Sequence, residues 1–177
     1  MQNDFIAHVF EAKINMNSVI DILNHYEYAF VKIDVPYMPE DFPDRVPIGK
    51  DADIFCRRED LAECSHKIQE HCMKTFCDYD IRVIESESGT RLRMELYGRL
   101  IYQIDISCEI YNMPGFVGEA LEHRIYNGRF YVLSPEYEYV LRLHEYSKNN
   151  SKVYHLEYIK HHCGDCNSEL TDKYYSE

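Results

Sequence analysis

The 177-residue sequence predicts an α+β fold, a β-sheet flanked by helices with further helices packed beside it. Three observations carry that prediction. Runs of two-residue alternation, such as Asp51-Ala52-Asp53-Ile54-Phe55-Cys56 and Leu100 to Cys108, read as half-buried strands. Leu61, Cys64, Ile68, Cys72 and Phe76 recur at helical spacing and form one apolar stripe. Most strand-like runs lie before Cys108 and the later chain is mainly helical in pattern, a segregation that suits α+β.

Taken in order, Phe5 to Ile14 is apolar but divided between helix and strand patterns. Met16-Asn17-Ser18 offers a cap to a helix carrying Val19, Ile20, Ile22, Leu23 and Tyr26. Tyr28 to Val35 reads as a strand. Pro36 to Pro47 holds four prolines and three acids, which form neither a helix nor a central strand. It is a long loop, functional or simply a flexible excursion. After the Asp51 strand, Glu59 to Phe76 is helical. Tyr79 to Glu85, Thr90 to Tyr97 and Leu100 to Cys108 are strands joined by turns at Ser86–Gly89 and Gly98-Arg99. Phe116 to Tyr126 reads as a helix and Arg129 to Leu133 as a short extended piece. Ser134-Pro135-Glu136 starts another helix, ending near Asn150. A last helix spans Lys152 to His161, and the tail from Cys163 is polar and loose. The expected division is 1–115 as core, 116–162 as a helical part of the same unit, and 163–177 as tail.

Composition narrows the function. One domain of this length buries a real core. The chain has 31 acidic and 19 basic residues, a formal charge of −12. That argues against extended nucleic-acid binding, which runs on many lysine and arginine contacts to phosphate. A small anionic substrate is still compatible, because a metal and a few local cations offset the net field. Sixteen tyrosines recur along the strands and helices, where half-buried packing explains them. Met1 to Phe10 lacks the basic start and apolar core of a signal peptide. No stretch approaches the roughly 18 apolar residues of a membrane span. Seven cysteines, an odd number, fit reduced thiols in a cytoplasm.

The chemistry concentrates on Asp51 and Asp53. Alternation places both on one face of a strand, where like charges repel unless a cation lies between them. A divalent metal answers that, and so does a solvated edge strand whose acids face water. Asp105 adds a third acid, flanked by Ile104 and Ile106 in mid-strand, where a carboxylate needs a partner.

Gly49-Lys50-Asp51-Ala52-Asp53-Ile54, followed by Gln103-Ile104-Asp105-Ile106, resembles the nucleotidyltransferase superfamily that includes polymerase beta-like enzymes. The resemblance covers about Tyr28 to Cys108, and the short core and proline-rich insertion look like small bacterial members. It implies a nucleotidyltransferase-like mixed sheet and two Mg²⁺ (or Mn²⁺) ions about 3.5–4 Å apart for an in-line phosphoryl displacement. Asp51, Asp53 and Asp105 would be the catalytic metal ligands, with Asp105 also a candidate base for the acceptor. The implied enzyme moves a nucleotidyl group from an NTP to a hydroxyl on a small molecule, sugar or protein.

The sequence departs from that family at one place. A Gly-Ser or Gly-Gly pair usually binds the triphosphate some ten residues before the acids, and Pro39 to Pro47 contains none. Either Lys32, Gly49 and Lys50, with Arg45, rebuild the phosphate grip, or the fold is catalytically silent and serves as a binding or regulatory partner. Arg91, Arg93, Arg99, Arg142, Lys148 and Lys152 are secondary candidates for phosphate, though exposed basic residues mostly balance neighbouring acids. His161-His162-Cys163-Gly164-Asp165-Cys166 has one Cys-x-x-Cys and no second pair, a weak zinc signal beside an unliganded tail. His66 and His71 read as solvated.

Overall fold

The computed structural model describes residues 15–36, 38–46, 48–149 and 152–175. The expectations for Met1 to Phe10 and Phe5 to Ile14 lie outside the described residues. In chain order the elements are α1 (Asn17–Leu23), β1 (Tyr28–Val31), β2 (Lys50–Cys56), α2 (Leu61–Thr75), β3 (Asp80–Ser86), β4 (Gly89–Leu96), β5 (Arg99–Ser107) and α3 (Phe116–Glu122). Then come β6 (Ile125–Tyr126), β7 (Tyr131–Val132), α4 (Pro135–Lys148), α5 (Val153–His161), a 3-10 turn (Cys163–Asp165) and α6 (Ser168–Tyr174). The fold is α+β, with one mixed seven-stranded sheet in the order β3-β4-β5-β2-β1-β7-β6. β2 pairs with β5 and β1 with β7 in parallel, and the other neighbours are antiparallel.

Alternation gives the sheet two different faces. On one, Ala52, Ile54 and Cys56 of β2 join Leu92, Met94, Ile104 and Ile106 against α1 and α2. The stripe Leu61, Cys64, Ile68 and Cys72 is the buried side of α2, so the cysteines act as small apolar residues. Each large aliphatic side chain buried here contributes about 1.5–3 kcal/mol. The opposite face is divided. Towards β1, Ala29, Val31 and Phe55 pack on Phe116, Val140, Leu141 and Leu170. Towards β4 it carries Asp51, Asp53, Gln103, Asp105 and Arg91. The helices of the C-terminal half thus cover half of this face and leave the acids beside their edge.

Several elements differ from expectation. β1 stops at Val31, because Lys32 turns to φ 57°. α3 ends at Glu122, and Ile125–Tyr126 is a strand paired with β7. The reason is the Asn127-Gly128 turn, a hairpin signal in which Gly128 takes φ 100° and Asn127 Oδ1 accepts from the N–H of Arg129 and Phe130. The proline-rich loop is packed rather than a loose excursion: Phe42 and Val46 are buried, and the Phe42 ring meets Phe30 and Phe130 edge-on. The tail is ordered too, since Asn167 Oδ1 caps α6 through the Leu170 N–H and Leu170 is buried. At α1 the cap residue is Met16 without a side-chain bond, and Asn17 instead donates to Asp44 Oδ1 at 2.6 Å. Ser134 does occupy the α4 cap position before Pro135, yet its hydroxyl makes no capping bond. His71 is not simply solvated: its Nε2 lies 2.8 Å from Ser18 Oγ.

Candidate functional site

Parallel pairing of β2 with β5 sets Asp53 beside Asp105 and Asp51 beside Gln103. One oxygen from each of Asp51, Asp53 and Asp105 lies within 4.8 Å of the others. Among the described residues this is the one group of three or more His, Cys, Asp or Glu side chains so gathered. Asp53 has about a quarter of its side chain (24%) exposed, and β2 and β5 are interior strands, so the cluster does not lie on an open edge of the sheet.

Two cations stand among these acids. Lys32 Nζ lies 3.0 Å from Asp53 Oδ2 and 3.7 Å from Glu145 Oε1. Arg91 holds Asp105 in a fork, with Nε donating to Oδ1 at 2.8 Å and Nη2 to Oδ2 at 2.9 Å. Gln103 Nε2 donates to the same Oδ2 at 3.1 Å. Burial pushes the Asp53 carboxyl above the usual carboxylate range; Lys32 pulls it back, while Asp51 and Asp105 push it further up. Burial acts against the Lys32 charge, but Asp53, Glu145 and Glu138 outweigh it and hold the ammonium above its ordinary value.

Lys32 owes its place to residues far along the chain. Its left-handed backbone costs a non-glycine residue roughly 1–2 kcal/mol. The compensation is a carboxylate: the Lys32 N–H donates to both oxygens of Glu138, at 3.0 and 3.2 Å. Glu138 in turn accepts from Arg142 Nε at 2.6 Å. Arg142, expected as a cation of an exposed late helix, is fully buried. It also donates to the Asp34 carbonyl at 3.2 Å and faces His155 Nδ1 at 3.3 Å. An arginine only donates, so His155 must accept there and stay neutral. Burial, then the Arg142 charge, take its pKa down to about 4.

Arg91 reaches Asp105 through an irregularity. Next to the hairpin turn, Leu96 faces Arg99 and Glu95 faces Leu100. That register, continued, would set Arg91 against Ile104 and on the wrong face. A shift between Met94 and Glu95 moves the pairing by one residue, and Arg91 then faces Asp105.

The other expected residues are placed differently. Gly49 takes φ 74° in the turn before β2, and its N–H is engaged with the Ile101 carbonyl at 2.6 Å. Alternation puts Lys50 on the face opposite Asp51, paired with Tyr102. Arg45 pairs with Asp41 at 3.2 Å within the loop. Of the residues expected to grip phosphate, Lys32 is the one placed among the acids. Arg93 pairs with Glu95 at 3.2 Å, and Lys148 lies over the Tyr111 ring. Cys163 and Cys166 are exposed free thiols and join no metal-ligating group among the described residues. Glu138, Glu145 and Gln103 were not singled out by the sequence, where nothing local distinguishes them from other polar residues.

The donor set fits a hard divalent cation. All three ligand candidates are carboxylates, the chemistry preferred by Mg²⁺ or Mn²⁺. Four carboxylates (Asp51, Asp53, Asp105, Glu145) face two cations (Lys32, Arg91), and the surplus of two negative charges matches one such ion.

No helix among the described residues is long and apolar enough to cross a membrane. No family model and no curated protein matches the sequence. Among solved structures, the chain is similar to an antigenic nucleotidyltransferase-like protein from Paracoccidioides brasiliensis, with 16% identity and a TM-score of 0.45 over 86% of this chain and 78% of that one. It is similar to the Megavirus polyadenylate synthase, with 9% identity and a TM-score of 0.43 over 90% of this chain and 34% of that one. A third similarity is to terminal uridylyl transferase 4 from Trypanosoma brucei, at 11% identity and a TM-score of 0.34 over 77% of this chain and 45% of that one. At TM-scores below 0.5 none of these likenesses carries the argument for function, which rests on the side chains themselves.

Proposed function

We propose that the chain is a nucleotidyltransferase, moving a nucleotidyl group from a nucleoside triphosphate to a hydroxyl acceptor with the help of Mg²⁺ or Mn²⁺. The observation that carries this reading is the convergence of Asp51, Asp53 and Asp105 from two parallel, adjacent strands. These three carboxylates would hold the ion, which when bound supplies charge neutralisation for an in-line displacement at phosphorus. The chain's own part follows from its geometry. Asp105, held in place by Arg91 and Gln103, accepts the hydrogen bond of the acceptor hydroxyl. The acceptor oxygen bonds to the α-phosphorus, the bond from that phosphorus to the pyrophosphate oxygen breaks with its electron pair, and the hydroxyl proton passes to Asp105 and on to water. Lys32, whose ammonium lies between Asp53 and Glu145, would meet a phosphate oxygen in lieu of the missing Gly-Ser pair, a role its position among the acids supports.

A second reading has an observation of its own. Asp53 and Asp105 each already hold a cation, which stabilises an acidic cluster without any metal. On that reading the chain is catalytically silent and serves as a binding or regulatory partner. Isothermal titration of Mg²⁺ and then of the four NTPs, on wild type and on Asp51→Asn and Asp53→Ala, separates the two. Nucleotidyl transfer requires heats in the wild type that both variants lose; indistinguishable heats in all three proteins favour the silent partner.

A further inference from the structure

Beside Asp105, on the side away from Asp53, the sheet carries a pocket of about 250 Å³ that the chemistry described above does not use. Its walls are the β3–β4 turn and the end of β5, and it is lined by Ser86, Ser88, Ser107, Ile84, Arg91 and Asp105. The turn sits close over β5: a Cβ at Gly89 would lie 2.4 Å from the Ile106 carbonyl oxygen, so glycine is what permits the approach. Ser86 Oγ donates to the Gly89 carbonyl at 3.0 Å and closes the turn.

We propose that this pocket is the acceptor subsite, and that the acceptor is a small hydroxylated anion of the sugar-phosphate kind. The inference rests on the nucleotidyl-transfer reading for the word acceptor, and on the pocket itself for the ligand class. Position comes first. The cross-strand row Arg91, Asp105, Asp53 places Asp105 between the pocket and the other acids. A hydroxyl bound in the pocket therefore meets Asp105 from the side opposite Asp53. Size comes next: the volume falls just below the roughly 300–1,000 Å³ of pockets that take drug-sized ligands, which suits one sugar ring. Chemistry is the third point. Serine hydroxyls both donate and accept, as a polyol requires. A guanidinium has five N–H groups; two of Arg91's go to Asp105, and the side chain is half exposed (51%), leaving three donors for an anion. Arg91 offsets the Asp105 charge, so an anion in the pocket meets a guanidinium before it meets the remaining acids. Exposed Ile84 offers an apolar surface to the ring's C–H face.

Two-dimensional NMR of the full chain tests this, with ribose 5-phosphate, ribose and inorganic phosphate as probes, each with and without Mg²⁺ and a non-hydrolysable ATP analogue. Ribose 5-phosphate is expected to shift the amides of Ser86, Ser88, Arg91 and Ser107 and to bind at least tenfold more tightly than either fragment. Ser107→Leu fills the pocket, and Ile84→Glu places a repelling charge at an exposed edge-strand position where folding is not at stake. Each is expected to weaken ribose 5-phosphate at least tenfold and to leave the nucleotide analogue unaffected. The proposal is overturned if ribose binds as tightly as its phosphate, or if these amides stay still while the analogue binds. Binding of ribose 5-phosphate without any binding of the analogue would keep the ligand class and overturn the reading on which the acceptor role rests.

Discussion

Arg91 stands opposite Asp105 because the β4–β5 register slips by one residue between Met94 and Glu95. The fork it makes is half exposed, so it is a charge placed at the cluster rather than a buried strut. Arg91→Gln removes one positive charge beside the three carboxylates. Mn²⁺ affinity, measured by titration calorimetry or electron paramagnetic resonance at low salt, is expected to rise about fivefold, the worth of one unit charge at close range in a wet site. Unchanged affinity would mean that the fork does not compete with a cation.

Lys32 predicts the opposite balance of stability and metal response. Lys32→Met leaves Asp53 and Glu145 without their cation, and the loss is expected at about 2 kcal/mol in urea unfolding, below the ~3–5 kcal/mol of a fully buried pair because both partners keep some solvent. Mg²⁺ should then raise the melting temperature of the variant more than that of the wild type, since an ion bound only by the folded state adds to its stability. Equal increments would detach Lys32 from the metal site.

The backbone of Lys32 can be separated from its charge. At φ 57° glycine is unstrained and alanine is not, so Lys32→Gly is expected to be more stable than Lys32→Ala by about 1 kcal/mol. The reverse order would show that residue 32 leaves the left-handed region once its side chain is gone.

His155 sets a pH dependence with a definite sign. Its folded pKa lies near 4 against an ordinary 6.5, so between those values the unfolded chain binds a proton that the folded chain refuses. Its contribution is intact above pH 6.5 and is lost as pH falls towards 4, in all about 3 kcal/mol. Wild type and His155→Gln compared by urea unfolding at pH 7.5 and 4.5 isolate this from the titrating carboxylates. The wild type should lose more stability on acidification than the variant.

The parts of the fold that could be read from the sequence are those set by local periodicity. The alternation of β2 and β5 put Asp51, Asp53 and Asp105 on common faces, and the helical stripe from Leu61 to Cys72 found its burial. What escaped depends on distant partners. Arg142 looks like any helical arginine until Glu138, Asp34 and His155 surround it. Arg91 could not be assigned to Asp105, because the extra residue of the irregularity that pairs them is Ile101 on β5, an ordinary strand residue with no mark such as a glycine. Gly49 and Lys50 drew attention by their nearness in sequence to Asp51, yet one backbone bond and one step of alternation turn both away from the acids. Two local signals do mark elements that periodicity hides: Asn127-Gly128, which turns the chain between β6 and β7, and Asn167-Ser168-Glu169, which starts α6 in the tail.

The parallel pairing of β2 with β5 also bears on how the chain folds. β3, β4 and β5 form a local meander, whereas β2 and β5 join residues some fifty positions apart, a contact with a higher loop-closure cost. Three like charges meeting at such a step would oppose it. Here each half of the sheet brings a counter-ion of its own: Arg91 travels with Asp105 in the meander, and Lys32, at the end of the strand next to β2, travels with Asp53. Two of the three carboxylates thus have a cation from their own half of the sheet, which lowers the repulsion that the pairing of β2 with β5 must overcome.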